Sequence, residues 1–455
     1  MSPSAAHASQ LWAKGLPLDA AVHRFTVGGD PVTDLVFVPF DAVGSAAHAL
    51  TLLRGGLLTR DDAVALLHAL QGIAAKARTG CFAIRPEQED GHTAIEAALI
   101  AACGEIGKKI HLGRSRNDQV ILATRLYLRH ELLSLGERLC ACAEAFLSFA
   151  RRHGAIPMPG YTHLRRAMPS NLGQWSGAFA EGLLEELEAL EAVYRRLDRS
   201  PAGAAAGFGA PVPLDRDYTA ELLGFRCVQR NPVDVQNSRG RHELAVLGWL
   251  VGVAGVLEKF LHDVALYSTE EFGFLGLPDE FTTGSSIMPQ KRNPDVIELA
   301  RAACRELRGE RMLVEQIATG LPSNYHRDLQ RIKAPLLRAL MLGDRLLTVV
   351  ARLVPALQPV PERLRAACTP ELWAAHEASR LASSDLGFRD AYRQVSEAIL
   401  AGHFRPDRMP SPVVPDREAP AAALEEFRGW LSERRTEHER HERNLWNFLA
   451  ERRDE

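Results

Sequence analysis

Apolar positions recur every three to four residues through most of the chain's middle, and few stretches show the period-two alternation of a half-buried strand. The pattern predicts an all-α protein. Between Asp118 and His153 no proline interrupts a run carrying Val120, Ile121, Leu126, Leu132, Leu139, Phe146 and Phe149, so one helix of about 35 residues and roughly 50 Å is expected there. Further long helices fit residues 170–198 and 241–268, with others following Pro294 and Lys333. Together they predict a bundle of very long helices. Ahead of it, Thr59 reads as an N-cap with Asp61 and Asp62 at the positive end of the helix dipole, and Val64, Leu67, Leu70 and Ile73 fall on one face before Gly80.

Residues 244–257 are apolar all round, and a helix without a polar face must be surrounded. The run falls short of the roughly 20 residues that span a bilayer, so protein is the expected surrounding. Two readings stay open: the centre of a monomeric bundle, or the centre of an oligomer. Beyond Pro361 the pattern weakens. A helical stretch over 370–401, a proline-rich segment over 403–420 and a charged amphipathic helix ending in Trp446, Phe448 and Leu449 suggest a small third domain. The expected division is 1–111 for an N-terminal helical domain, 112–362 for the bundle and 363–455 for the C-terminal part.

Composition narrows the function. A chain of 455 residues, 46% apolar and 24% charged, buries an ordinary core without covalent staples, and its net charge of -3 offers no basic field for nucleic acid. A small molecule is the better default ligand. Seven cysteines, with no CxxC pair and no histidine at metal-ligand spacing, suit reduced thiols in the cytoplasm. Neither a metal nor another cofactor is expected. Met1 to Gly15 lacks the apolar core of a secretory signal, so neither export nor membrane insertion is expected.

Three segments carry the chemistry. Residues 283–295 combine Gly284, the hydroxyls of Ser285 and Ser286, Pro289 and Pro294, Lys291 and Asn293, which makes a loop rather than a helix. A serine acts as a base only as its alkoxide, and a nearby cation such as Lys291 together with backbone N–H donors at a glycine-rich turn stabilises that form. An unremarkable surface loop explains Gly-Ser-Ser alone but not the whole string. Arg114, Ser115, Arg116 and Asn117 come just before the first long helix, where guanidinium forks, a hydroxyl and backbone N–H groups meet the positive end of a helix; this is an anion site, or else a cap with solvated arginines. Thr162 and His163 lie in an expected loop between long helices, 154–169, and a held loop histidine suits acid–base work near pH 7.

The string Gly284-Ser-Ser-Ile-Met-Pro-Gln-Lys-Arg-Asn-Pro294 resembles the signature loop of the fumarase/aspartase superfamily, whose members eliminate a group from a succinyl unit and release fumarate. Within it, Gln88 to Glu96, His111 to Gln119, Gly160 to Leu164, Leu214 to Phe225 and Leu321 to Gln330 are similar, in order, to the argininosuccinate lyase family, over roughly residues 11 to 400. The resemblance implies a fumarase/aspartase-like fold assembled as a homotetramer, with each active site drawing on three chains and acting on argininosuccinate to give arginine and fumarate. It implies that Asn117 touches substrate, that Glu298 pairs with His163 and keeps it oriented, and that Tyr325, Gln330 and Lys333 recognise the substrate's amino-acid part and carboxylates.

The mechanism so implied is an anti elimination. Ser285 removes a proton beside a carboxylate, Lys291 and loop N–H groups stabilise the developing charge, and His163 protonates the leaving nitrogen, with the reverse assignment of acid and base left open. Arg114, Ser115, Thr162 and Asn293 complete the expected substrate contacts. Departures from the family pattern fall near the substrate: Arg165 replaces a usual glutamine, residues 25–30 around Gly28 lack a usual serine, and the string Asn237 to Glu243, with Arg239, differs from a usual Ser-Asp-Arg-Asp. They leave open another fumarate-releasing lyase with a different N-succinyl substrate.

Overall fold

The computed structural model describes residues 19–384, 386–416 and 418–449, so the leader reading for Met1 to Gly15 lies outside it. Five long helices form the body: Arg116–His153, Leu172–Leu197, Arg241–Tyr267, Asp295–Ala318 and Lys333–Ala356, here called the first to fifth long helices. The expected bounds differ from these by a few residues at most.

Side-chain contacts set the directions. Phe149 near the end of the first helix meets Trp175 at the start of the second edge to face, and Phe179 meets Phe260 near the end of the third. Arg305 of the fourth reaches Glu258 of the third, and Arg338 of the fifth reaches Glu310 of the fourth. The first, third and fifth helices therefore run one way, the second and fourth the other. Leu132, Leu139, Phe146, Leu187, Val253, Leu257, Phe260, Leu307 and Val350 fill the seam between them. Burying one such side chain is worth about 1.5–3 kcal/mol, so this seam is the main store of stability.

Shorter helices, Val38–Arg54, Arg60–Arg78 and Gly91–Cys103, pack against the start of the first long helix through Leu50, Leu66, Leu67, Leu70, Leu99, Leu122 and Leu126. Thr59 caps the second of them by accepting from the Asp62 amide at 3.1 Å, as its sequence position predicts. The final helix, Glu418–Asn447, lies against the first and second long helices. Its Leu424 and Leu431 enter the bundle core and its Leu445 the N-terminal core. The stretch expected as helix over 370–401 divides into Ala374–Ala382 and Phe388–Leu400.

One sequence reading needs correction. Residues 154–169 are not a plain loop: Pro157–Thr162 and Arg165–Asn171 pair as an antiparallel hairpin whose two-residue turn, His163-Leu164, has φ of +52° and +57°. Positive φ at both positions is the geometry of a type I′ turn, normally the province of asparagine and glycine. The apolar run 244–257 lies inside the third long helix, whose bounds match the expected 241–268 to one residue. The helical stretch Pro232–Tyr267 that holds it is long and apolar enough to cross a bilayer by length and composition, its most apolar 18 residues having a mean hydropathy of 1.8. Half of that apolar window is buried within this one chain, as in the core helix of a bundle. Leu299, Met312, Leu313 and Met341 add exposed apolar side chains on the fourth and fifth helices.

Candidate active site

The expected site residues fall into two groups at opposite ends of the bundle. At one end, where the first and fifth long helices start, a cleft of about 670 Å³ is lined by Asn117, Arg239, Tyr325, Gln330 and Lys333, with Asp30, Asp34, Glu89, Asp90, His92, Arg116 and Arg327 completing the wall. At the other end, beyond the last residues of the first and third helices, lie the Thr162-His163 turn and the loop carrying Ser285, Lys291 and Asn293. The 38-residue first helix separates Asn117 from the His163 hairpin by about 57 Å. The rest of the fourth helix separates Glu298, in its first turn, from the Tyr325 segment by roughly 30 Å.

The cleft is an array of charges taken out of water. Lys333, almost fully buried, places its Nζ 2.5 Å from Asp34 and 3.0 Å from Asp30. Burial works against its ammonium, but the two carboxylates outweigh that and raise its pKa. Burial lifts the Asp30 pKa to about 6, with Lys333 pulling it down and Asp34 and Asp90 pushing it further up. Arg116 pairs with Asp90 at 3.2 Å and donates to Thr93 Oγ1. Behind the wall, His92 Nδ1 lies 2.5 Å from Asp41. Burial opposes the imidazolium there, yet the carboxylate prevails and the His92 pKa rises.

Of the residues expected at the anion site, Ser115 caps the first long helix by accepting from the Asn117 amide at 3.3 Å. Arg114 turns inward and donates to Ser45 Oγ at 2.9 Å, whereas Arg116, its neighbour in the same motif, is the arginine on the cleft wall. Gln330 also has a local duty. It donates to the Thr26 carbonyl at 3.0 Å and accepts from Arg327, which closes the 327–333 segment over the turn before Asp30.

At the opposite end, Thr283–Gly284 pairs with Arg292–Asn293, so the signature loop is itself a small antiparallel ribbon with an exposed tip. Ser285 Oγ accepts the backbone N–H groups of Met288 at 3.1 Å and Ile287 at 3.4 Å. Those donors lower the cost of an alkoxide at this oxygen. Lys291 is exposed a few residues on. Among the described residues no ion pair joins Glu298 to His163 within one chain. The His163 turn is held from behind by Tyr161, which packs on Tyr267 and Phe272 at the end of the third helix.

Asp30, Arg116 and Arg239 were each noted only as part of a longer string, and none was chosen from it as a site residue. The first and last stand inside the two strings noted as departures from the family, and Arg116 inside the noted anion motif, so the signal was present without a way to choose among neighbours.

A family model described as lyase matches residues 24–309. The chain is 45% identical over 392 residues to the argininosuccinate lyase of Sorangium cellulosum (strain So ce56), covering 86% of this chain and 91% of the relative. It is 41% identical over 401 residues to that of Parabacteroides distasonis, covering 88% and 90%. Among solved structures it is similar in fold to an EDDS lyase variant with bound fumarate (TM-score 0.79, 24% identity, 96% of each chain). A class II fumarase from Schistosoma mansoni matches with a TM-score of 0.71 and 17% identity, over 86% of this chain and 94% of that one. With two half-sites of matching residue types held on one rod of helices, the chain belongs to the argininosuccinate lyase family of the fumarase/aspartase superfamily.

Proposed function

We propose that the chain catalyses the reversible anti β-elimination of argininosuccinate to arginine and fumarate, as a cytoplasmic homotetramer. Ser285 Oγ takes the proton from the carbon beside a succinyl carboxylate. The electron pair left there forms the carbon–carbon double bond as the C–N bond breaks, and His163 supplies the proton that the departing guanidino nitrogen accepts. Lys291, Asn293 and the loop N–H groups carry the negative charge that gathers on the carboxylate in between. Solvent exchange returns both groups to their starting protonation.

The observation that carries the chemistry is the Ser285 hydroxyl seated on two backbone N–H donors of its own loop. The separation of the half-sites supports the tetramer. One chain leaves Asn117 about 57 Å from the His163 turn, and a two-fold pairing of antiparallel bundles brings one copy's cleft against another copy's loops. The exposed Leu299, Met312, Leu313 and Met341 supply apolar surface for such a contact. Fumarate release, followed by ultraviolet absorbance with argininosuccinate, adenylosuccinate and aspartate in turn, tests the substrate. Release from argininosuccinate is expected, and release only from one of the others overturns the assignment.

A further inference from the structure

The final helix bridges both cores, with Leu424 and Leu431 in the bundle and Leu445 in the N-terminal core. Between Leu431 and Leu445 two histidines face inward. His438 Nε2 lies 2.7 Å from the Tyr194 hydroxyl, and its ring stacks on the Tyr194 ring with centroids 6.1 Å apart. Tyr194, on the second long helix, is 3% exposed, and the buried Arg129 guanidinium of the first sits 5.9 Å from the centre of the same ring. His441 packs on Gly224, where a Cβ would come within 2.6 Å of its ring. Arg129 donates to the Gly224 carbonyl at 2.5 Å, so both imidazoles lie against one buried cation.

A proton arriving here meets cations. The acids around the two rings are committed elsewhere: Asp198 to Arg129 at 3.2 Å, Glu137 to Arg435 at 2.7 Å, Glu437 to Arg434 at 2.7 Å and Glu442 to Arg78 at 2.6 Å. Burial first, then Arg129, His130, His441 and Arg435, push the His438 pKa down to about 2. Glu437 and a backbone hydrogen bond at Glu221 favour a charged His441, but burial, Arg440 and Arg129 outweigh them and its pKa falls. Beside the rings a cavity of about 920 Å³, bounded by Arg129, Tyr194, Gly224, Glu437 and His441, leaves part of this contact unfilled, so little packing opposes the entry of water.

We infer that residues 434–447 are a pH-sensitive strap: His438 and His441 fasten them to the first and second long helices while both imidazoles are neutral, and acidification releases that stretch ahead of the rest of the fold. The sign follows from the surroundings. A released imidazole takes a proton near its ordinary pKa of about 6.5 and a docked one does not, so attachment is full above that pH and weakens as the pH falls below it. Release withdraws Leu445 from the N-terminal core, which uncouples that core from the bundle on this side. None of this depends on the lyase reading.

The test is amide hydrogen exchange on the full chain between pH 7.5 and pH 5, read as protection factors corrected for the intrinsic exchange rate. One imidazole that binds a proton only when released multiplies the open population by about thirtyfold over that range. Amides of 434–447 should therefore lose protection by about thirtyfold or more, while those of 132–146 in the first long helix keep theirs. Protection of 434–447 that does not change, or a loss shared equally by both stretches, overturns the strap. The double variant His438→Gln, His441→Gln should hold its protection within about threefold across the same range, and a loss as large as in wild type assigns the effect to the carboxylate pairs and overturns it too. Should the variant fail to fold, the two wild-type stretches decide by themselves.

Discussion

Replacing Asp30 by asparagine is expected to stabilise the unliganded protein at alkaline pH, against the usual result of removing one partner from a buried ion pair. Lys333 keeps Asp34 at 2.5 Å, so no buried cation is left alone, and the asparagine oxygen can still accept from Nζ. What disappears is the cost of ionising Asp30, whose pKa burial raises from 3.8 to about 6. Because the folded pKa lies above the unfolded one, that cost is small near pH 4 and is reached in full once the pH has risen through 6. Two pKa units correspond to about 3 kcal/mol, so the gain grows from about 1 kcal/mol at pH 4.5 to about 3 kcal/mol at pH 8. For a chain of this size the shift in melting temperature is a few degrees. The assay is thermal denaturation of both proteins at one fixed chain concentration across that pH range, since the proposed assembly would make the midpoint concentration-dependent. A variant that melts lower than wild type at pH 8, or a difference that ignores pH, refutes the reasoning and makes Asp30 a structural partner of Lys333.

Ser285→Ala should still bind argininosuccinate while turnover falls by a factor of about 100 or more, and near-normal turnover removes this hydroxyl from the mechanism. Gly240→Ala adds a Cβ at φ +80° that meets the Ala318 Cβ at 2.6 Å, two rigid groups, so a loss of a few kcal/mol is expected on denaturant unfolding. Leu299→Glu, at a position 70% exposed in one chain, should shift size-exclusion elution toward smaller species and reduce activity while far-ultraviolet circular dichroism stays helical. An unchanged elution volume removes Leu299 from the proposed contact.

The long helices were legible because their two determinants are local: an unbroken 3.6-residue apolar period, and proline or glycine at the ends. Thr59 and Gly80 mark one helix, and Arg116 to His153 another, with no tertiary information required. The hairpin at 157–171 was not legible. Its strands hold Pro157, Pro159 and Pro169, and its turn puts positive φ on His163 and Leu164, so packing on Tyr267 and Phe272 overrides every local preference. The site was legible in kind and not in arrangement. Spacing identifies an arginine-rich helix start, but nothing in it says that Arg114 turns inward to Ser45 while Arg116 faces the cleft. Pairings between distant segments, such as Asp30 and Asp34 on Lys333, depend on how residues 30–34 dock at the start of the fifth long helix, and no periodicity reports that.

Activity regained on mixing two dead chains tests the shared site most directly. Ser285→Ala and His163→Asn proteins, each expected to be inactive alone, are dissociated together, reassembled and assayed for fumarate release from argininosuccinate. If each site draws on three chains, as the family resemblance implies, with Ser285 and His163 from different copies, hybrids should recover a fraction of wild-type turnover through sites that hold both groups intact. Confirmed hybrids without any activity contradict it.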